Sequence, residues 1–527
     1  MPVAGILKPN TYRDSVALMV LTGTLSAGQG VRQASAMMAT PANLEILQAT
    51  GLSVPAFEAA GPNDLCIAVE AADTAALDAA LATAEQLLVA AGGRRGGGST
   101  AAGGSTWQPR TLRRAVQTRP ESNVAIISVP GEYAALEARQ ALLAGLNVFL
   151  FSDNVLLDDE VALKQLATER RLLLMGPDCG TALIAGVPLG FANAVRRGPI
   201  GVIGSSGTGL QEVTSLIHRL GGGVSHAIGT GSRDLYSAVG GSTFLAALDA
   251  LVSDSDTRVL VGIAKPGDAA VEARVLERLA ASGKPAVVYF LGGAPSETAV
   301  RAAGGQVTVA VDLEHVAQCA VALARGERPP PPPDNTEAEA LARQIVVGLM
   351  PGQMDIRGLF AGGTLAQEAA SAIGRALGTP SLPGTTARPG EVLRIGGHSI
   401  LDLGDDAYTR GRPHPLIDPR LRNAELTTQA ADGAVALFLL DVILGTGSHP
   451  DPARALGTAV ASARVTAEAH GARLTVLASV CGTEDDAQGY QQQRAYLEAT
   501  GVTVVRSSSM AAAVAGRVAA LLAEVNR

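Results

Sequence analysis

Aromatic residues are scarce in this chain: one Trp, seven Tyr and eight Phe among 527 residues, or 3%. Basic runs interleaved with aromatics are also missing, and the formal net charge is −8, which excludes a broad basic field for gripping nucleic acid. Cysteine is sparse too. Cys66, Cys179, Cys319 and Cys481 stand far apart, with no C-x-x-C and no zinc-ligand spacing. They are expected to be reduced core thiols of a cytoplasmic protein, and no metal site is expected. No uncharged apolar stretch is long enough to span a membrane, and Met1 to Asn10 lacks the apolar core of a secretion signal. These absences predict a soluble, cytoplasmic protein with neither a nucleic-acid nor a membrane partner.

What is abundant is Ala, Val, Leu and 61 Gly, with apolar residues at 47%. That mixture suits Ala/Leu-rich helices packed on Val/Ile-rich parallel strands, the make-up of an α/β protein. The length allows three or four domains at about 150 residues each. Two low-complexity stretches divide it. Residues 92–107 form a Gly-rich linker, and Arg328 followed by Pro329 to Pro333 opens a stiff Pro-rich spacer over residues 328–336.

The first block, residues 1–91, is expected to be a small split β-α-β domain. Strands are predicted at Asp14 to Leu21 and Leu65 to Glu70, and helices at Pro41 to Ala49 and Thr74 to Ala91. Nothing in it suggests catalysis. The second block alternates strand and helix from Asn123 onward, with a second unit beginning at Pro199. Ile200 to Ile203 is a strand there and Gly209 to Leu220 a helix. The third block repeats the pattern, with strand Ile356 to Phe360, helix Thr364 to Leu377, buried strands Ala434 to Val442 and Arg473 to Ser479, and a terminal helix Met510 to Val525.

The sharpest local feature is the strand-to-helix turn Gly204-Ser205-Ser206-Gly207-Thr208-Gly209. Glycine lets a phosphate approach bare backbone, and a helix N-terminus offers unpaired N–H groups with a favourable dipole. No lysine follows, so it is not a Walker loop, and it lacks the dinucleotide fingerprint. The plain alternative is a tight turn. Gly362-Gly363-Thr364 is a weaker second copy, and two such helix ends are able to converge on one anion. A third concentration runs from Ile400 to Asn423, too rich in Gly and Pro for regular structure. In it, Arg410 and Arg412 are candidates to clamp carboxylate or phosphate oxygens, and His414 to donate a proton. A solvated charged loop explains the same run. His449, in Gly445 to His449, and Lys265 are lesser candidates at strand ends, while His218 and His226 read as packing residues.

Gly176-Pro177-Asp178-Cys179-Gly180 and Gly198 through Glu212 resemble the α subunit of succinyl-CoA synthetase and the NDP-forming acyl-CoA synthetases. More specifically, Gly229-Thr230-Gly231-Ser232-Arg233, Phe360 to Ala366, and Asp402 through Pro419 are similar to the FdrA family over almost the whole chain. The resemblance implies a CoA-binding-like Rossmann domain at 108–197, a flavodoxin-like ligase domain at 198–327, and a C-terminal synthetase-like α/β domain at 337–527. It also implies phosphate binding on the Ser205-Ser206-Gly207-Thr208 loop. The synthetases carry a phosphorylated histidine after a K-P-x-V strand. Here Lys284-Pro285-Ala286-Val287 is followed by Leu291 to Thr298, with no histidine before His315, and the acidic segment that orients that histidine is replaced by Ala264-Lys265-Pro266. No ATP-grasp domain is recognisable.

Membership of the FdrA family implies an oxamate carbamoyltransferase subunit of allantoin degradation, working as an oligomer with two partner subunits on oxalurate- and carbamoyl phosphate-type small molecules. An acyl-CoA ligase using CoA is the alternative, with CoA on Val129-Pro130-Gly131, and a non-catalytic scaffold subunit is another.

Overall fold

A computed structural model describes residues 2–525 apart from 12, 14, 27, 94–108, 110, 293–306, 380–387, 410 and 411. The chain divides into two compact units, Met1–Ala115 with Thr409–Asp418, and Val116–Tyr408 with Pro419–Arg527. The second and third sequence blocks therefore share one unit in spite of the proline run between them. Much of the Gly-rich linker lies outside the described residues.

The first unit is built on β1 (Val3–Lys8), β2 (Val31–Met38) and β3 (Leu65–Ala71), in the order β1-β3-β2 with both outer strands antiparallel to β3. This is the expected split β-α-β unit. Because side chains alternate along a strand, β3 feeds two cores. Leu65, Ile67 and Val69 pack with Leu18, Leu21, Leu25, Leu77 and Ala84. Cys66 and Ala68 pack on the other face with Met37, Leu47, Leu52 and Phe57. One expectation fails here: Asp14 to Leu21 is not a strand, since a helix spans Ser15–Ser26. The apolar run suited either state, and the i, i+3, i+7 spacing of buried Leu18, Leu21 and Leu25 is the helical signal that decides it.

The second unit holds three sheets. β4 (Val124–Ile127), β5 (Asn147–Leu150) and β6 (Leu174–Met175) form a short parallel one. β7 (Thr181–Ile184), β8 (Val187–Gly190), β9 (Arg197–Gly204), β10 (Val224–Gly229), β11 (Val259–Ala264), β12 (Ala286–Phe290) and β13 (Val307–Val309) form a second, ordered β13-β12-β11-β9-β10-β7-β8. The third joins β14 (Asp355–Phe360), β15 (Glu391–Ile395), β16 (His398–Asp402), β17 (Val435–Ile443), β18 (Val476–Cys481) and β19 (Thr503–Val505), in the order β15-β16-β14-β17-β18-β19. The central parallel strands β11, β12, β17 and β18 are buried along their whole length, which explains their unbroken apolar runs.

The connectivity creates the site. Strand β9 is flanked by β10 on one side and β11 on the other, and β14 by β17 and β16. At such switch points a crevice opens beyond the carboxyl ends of the strands, and there ligands bind in open α/β sheets. The segment from Ile400 onward, expected to be irregular, is partly regular: β16 runs through Asp402, one helical turn spans Asp406–Thr409, and a helix covers Arg420–Gln429.

Candidate functional site

The glycine-rich loop leaves the end of β9 and enters a helix, Gly207–Arg219. Ser206 caps that helix, its Oγ accepting from the Gly209 N–H at 2.9 Å. Gly207 and Thr208 occupy the first two helical positions, whose N–H groups have no partner inside a helix. From the end of β14 a second helix starts, Gly363–Ala376, with Gly362 as its cap residue and no side-chain cap of its own. Here Asp441 of β17 takes over, accepting from the Ala361 and Gly362 N–H groups at 2.9 and 2.7 Å. Gly363 and Thr364 are left in the same position as Gly207 and Thr208.

The two helix starts meet. Ser206 Oγ and Thr364 Oγ1 share a short hydrogen bond between buried hydroxyls. A Cβ on Gly362 would sit 3.1 Å from Thr208 Cβ and 3.0 Å from Asp441 Oδ2, so only glycine lets the loops approach this closely. Neither helix carries an acidic residue in its first turn. The result is a cradle that brings together four first-turn N–H groups, the hydroxyls of Ser205, Ser206, Thr208 and Thr364, and two helix N-termini. Such a cradle suits a tetrahedral oxyanion. All of Gly204, Ser205, Ser206, Gly207, Thr208, Gly209, Gly362, Gly363 and Thr364 fall in it.

A repeat missed in the sequence accounts for the symmetry. Gly207-Thr208-x-x-Gln211-Glu212 recurs as Gly363-Thr364-x-x-Gln367-Glu368. Both glutamates are buried and both reach the start of the terminal helix Ser508–Val525. Glu212 Oε1 accepts from the Ser508 N–H at 2.9 Å, while Glu368 accepts from the Ser508 and Ser509 hydroxyls at 2.9 Å and from the Leu313 N–H at 3.1 Å. They pin the two cradle helices to one element.

Burial pushes Glu368 up to about 8 from an ordinary 4.5, with Asp312 adding to the rise and the three hydrogen bonds opposing it. Between those values the folded chain holds a proton that the unfolded chain has lost, so stability falls as pH rises across that window. Glu368→Gln keeps the shape and removes the proton. Thermal melts of the variant are expected to show a shallower downward slope than wild type between about pH 5 and 8, the remainder coming from other raised carboxyls such as Asp402. A slope equal to the wild type's would show that Glu368 is ionised in the fold.

Behind the second cradle, Arg422 Nη1 donates to the Asp441 carbonyl at 2.6 Å and to its Oδ1 at 3.2 Å, with both side chains buried. Burial raises the Asp441 carboxyl and lowers the Arg422 guanidinium from their ordinary values, each opposed by its partner's charge. Arg422, one of the arginines in the charged third-block run, thus supports the cap.

The other candidates sit elsewhere. Arg410 lies outside the described residues. Arg412 and His414 belong to the first unit, where Arg412 pairs with Glu45 at 3.4 Å and His414 Nδ1 accepts from the Leu416 N–H at 3.2 Å. His449 accepts from the Asp451 N–H at 3.1 Å, and His218 and His226 accept from the Arg196 and Ala185 N–H groups, so each stabilises a turn or strand end. Val129-Pro130-Gly131 opens the Gly131–Leu143 helix, which lacks a side-chain cap. The four cysteines are free and buried. Among the described residues no helix is long and apolar enough to cross a membrane.

A strand-glycine-helix unit thus occurs twice in this chain, in the segments that resemble the synthetases in sequence. Comparison agrees: residues 195–292 match a family described as a CoA binding domain and residues 359–518 one described as CoA-ligase. The α subunit of an ADP-forming succinate–CoA ligase from Staphylococcus epidermidis (strain RP62A) is 28% identical over 216 residues, covering 38% of this chain and 69% of that one. The apo form of a dinucleotide-forming acetyl-coenzyme A synthetase of Ca. Korarchaeum cryptofilum aligns with 81% of this chain and 89% of its own at 15% identity, with a TM-score of 0.30. Residues 1–103 match a family described as AllF, heavy metal-associated domain. The "Uncharacterized protein YahF" of Escherichia coli K12 is 42% identical over 516 residues, 97% of either chain. The chain belongs to the FdrA family, to which that full-length likeness and the AllF-type N-terminal domain assign it.

Two details of the matches bear on the sequence reading. The CoA-binding match falls on 195–292, the β9 cradle region, where the resemblance had implied a ligase half and had put the CoA domain at 108–197. The N-terminal family's metal association does not fit the residues present. Residues 1–103 contain one cysteine and no histidine, and that cysteine, Cys66, is buried with its thiol pushed up to about 11. No group of three metal-ligating side chains occurs among the described residues.

Proposed function

We propose that this chain is the phosphate-holding subunit of a carbamoyltransferase that interconverts oxalurate plus phosphate with oxamate plus carbamoyl phosphate, in allantoin degradation and with two partner subunits. The observation that carries the reading is the pair of helix N-termini joined through Ser206 and Thr364. A phosphate oxygen attacks the ureido carbon of oxalurate, a C–O bond forms, the C–N bond to the oxamate nitrogen breaks, and the proton of the phosphate ends on that nitrogen. No covalent histidine is needed, consistent with a chain that has none between Lys284 and His315. The cradle would hold the phosphate in place and take up charge as it transfers.

The full chain mixed with its two partners is expected to cleave oxalurate only when phosphate is present, releasing carbamoyl phosphate. Equal cleavage by the partners alone would leave the chain a scaffold. The CoA-binding and CoA-ligase matches favour one second reading, an acyl-CoA ligase that uses CoA. Calorimetry separates the two, since tight CoA binding with no response to carbamoyl phosphate belongs to the ligase.

A further inference from the structure

Lysine is rare in this protein, and three of its four lysines are committed. Lys8 pairs with Glu85, Lys164 with Asp234 and Glu160, and Lys284 donates to the carbonyls of Leu251 and Asp254. Lys265 differs. It follows the last residue of β11, whose Ile263 pairs with Gly204, and its backbone N–H donates to Ser205 Oγ at 3.0 Å. The residue is half-buried, and among the described residues its ammonium has no hydrogen-bond partner. Its charge acts on two carboxyls, Asp178 and Asp402.

Asp402 ties this lysine to the second helix. It ends β16 beside Phe360 of β14, and its carboxylate lies where a Cβ on Gly363 would have to go. Lys265 is therefore fixed by its backbone to the first cradle and bound electrostatically to a carboxyl that abuts the second. A cation without a hydrogen bond of its own beside the first helix end is able to engage an anion held there.

We propose that Lys265 is the cation that neutralises a dianionic phosphoryl group held between the two helix ends, and that Asp402 is the carboxyl whose charge sets how tightly that group binds. This rests on the phosphate-cradle reading and adds to it a residue that supplies positive charge beside the first helix end. Asp402 faces Lys265, Asp405 and Asp441, and its Oδ1 accepts from the Gly404 N–H at 2.9 Å. Burial raises it to about 7, against the pull of Lys265. Below that pH the carboxyl is neutral and tolerates an anion; above it, the carboxylate repels one and competes for the lysine. Anion affinity should therefore fall as pH rises through about 7.

The test is calorimetric titration of the full chain with inorganic phosphate, and with sulfate, which stays dianionic throughout. Lys265→Met is expected to weaken phosphate at least about tenfold, the factor that about 1.4 kcal/mol represents. Lys265→Arg should stay within about threefold of wild type, because it keeps the charge. Unaltered melting temperatures establish that the variants fold, and Lys265→Gln replaces Lys265→Met if the latter does not. Sulfate should bind wild type more tightly at pH 6 than at pH 8, and Asp402→Asn should bind it equally at both. If Lys265→Met binds phosphate as wild type does while the Ser206→Ala, Thr208→Ala double variant loses it, the role of Lys265 is overturned and the cradle stands. If neither loses phosphate, the cradle fails and the lysine with it. A sulfate pH dependence that persists in Asp402→Asn removes Asp402 from the account.

Discussion

Replacing Asp441 with alanine is expected to destabilise the second unit by about 3–5 kcal/mol, the cost of removing one partner of a buried ion pair. Asp441 is fully buried and serves two purposes at once. It accepts from two backbone N–H groups at the start of the Gly363–Ala376 helix, and it answers the charge of Arg422, itself 3% exposed. Alanine would leave a guanidinium in the core without its counter-charge, two N–H groups without an acceptor, and a void below the loop. Asp441→Asn should cost less, since an amide oxygen still accepts from one N–H. Urea unfolding reads both variants. An Asp441→Ala midpoint equal to the wild type's would show that the second cradle needs no support from β17.

The second large effect concerns binding. Ser206→Ala with Thr208→Ala removes two hydroxyls from the cradle, one of which caps the Gly207–Arg219 helix and meets Thr364. A hydrogen bond to a charged group contributes about 1.5–3 kcal/mol. Losing two should weaken phosphate by roughly a hundredfold or more. Loss of the cap should cost about 1 kcal/mol of stability, little enough for the variant to fold. In the assay with partners, the phosphate concentration giving half-maximal oxalurate cleavage should rise in proportion. A variant with unchanged phosphate dependence would put the anion elsewhere.

Much of the second unit was legible because parallel strands buried on both faces produce unbroken apolar runs, and each turn into a helix is marked by glycine and a hydroxyl. The strand read at Ala434 to Val442, which is β17, and the turn at Gly204 to Gly209 needed nothing more. The Ser15–Ser26 helix was misread because a short apolar run fits strand and helix equally, and only its spacing separates them. The cradle's two halves were visible as motifs, but their convergence is a fact of tertiary structure. So is the cap supplied by Asp441, which stands about 80 residues from the loop it holds. The Gln-Glu ends of the two repeats are legible in the sequence, but their shared role at the start of the terminal helix is visible only in the fold. Lys265 ranks in the sequence only as a lesser candidate at a strand end, because sequence alone does not show that its ammonium is left without a hydrogen bond near Asp402.

The central claim is that one phosphoryl group sits between two helix N-termini of the same chain. A crystal structure of the full-length protein with phosphate would test it most directly. The account predicts the anion within hydrogen-bonding distance of the N–H groups of Gly207, Thr208, Gly363 and Thr364. A phosphate bound at any other place, with this cradle closed to it, would contradict that claim.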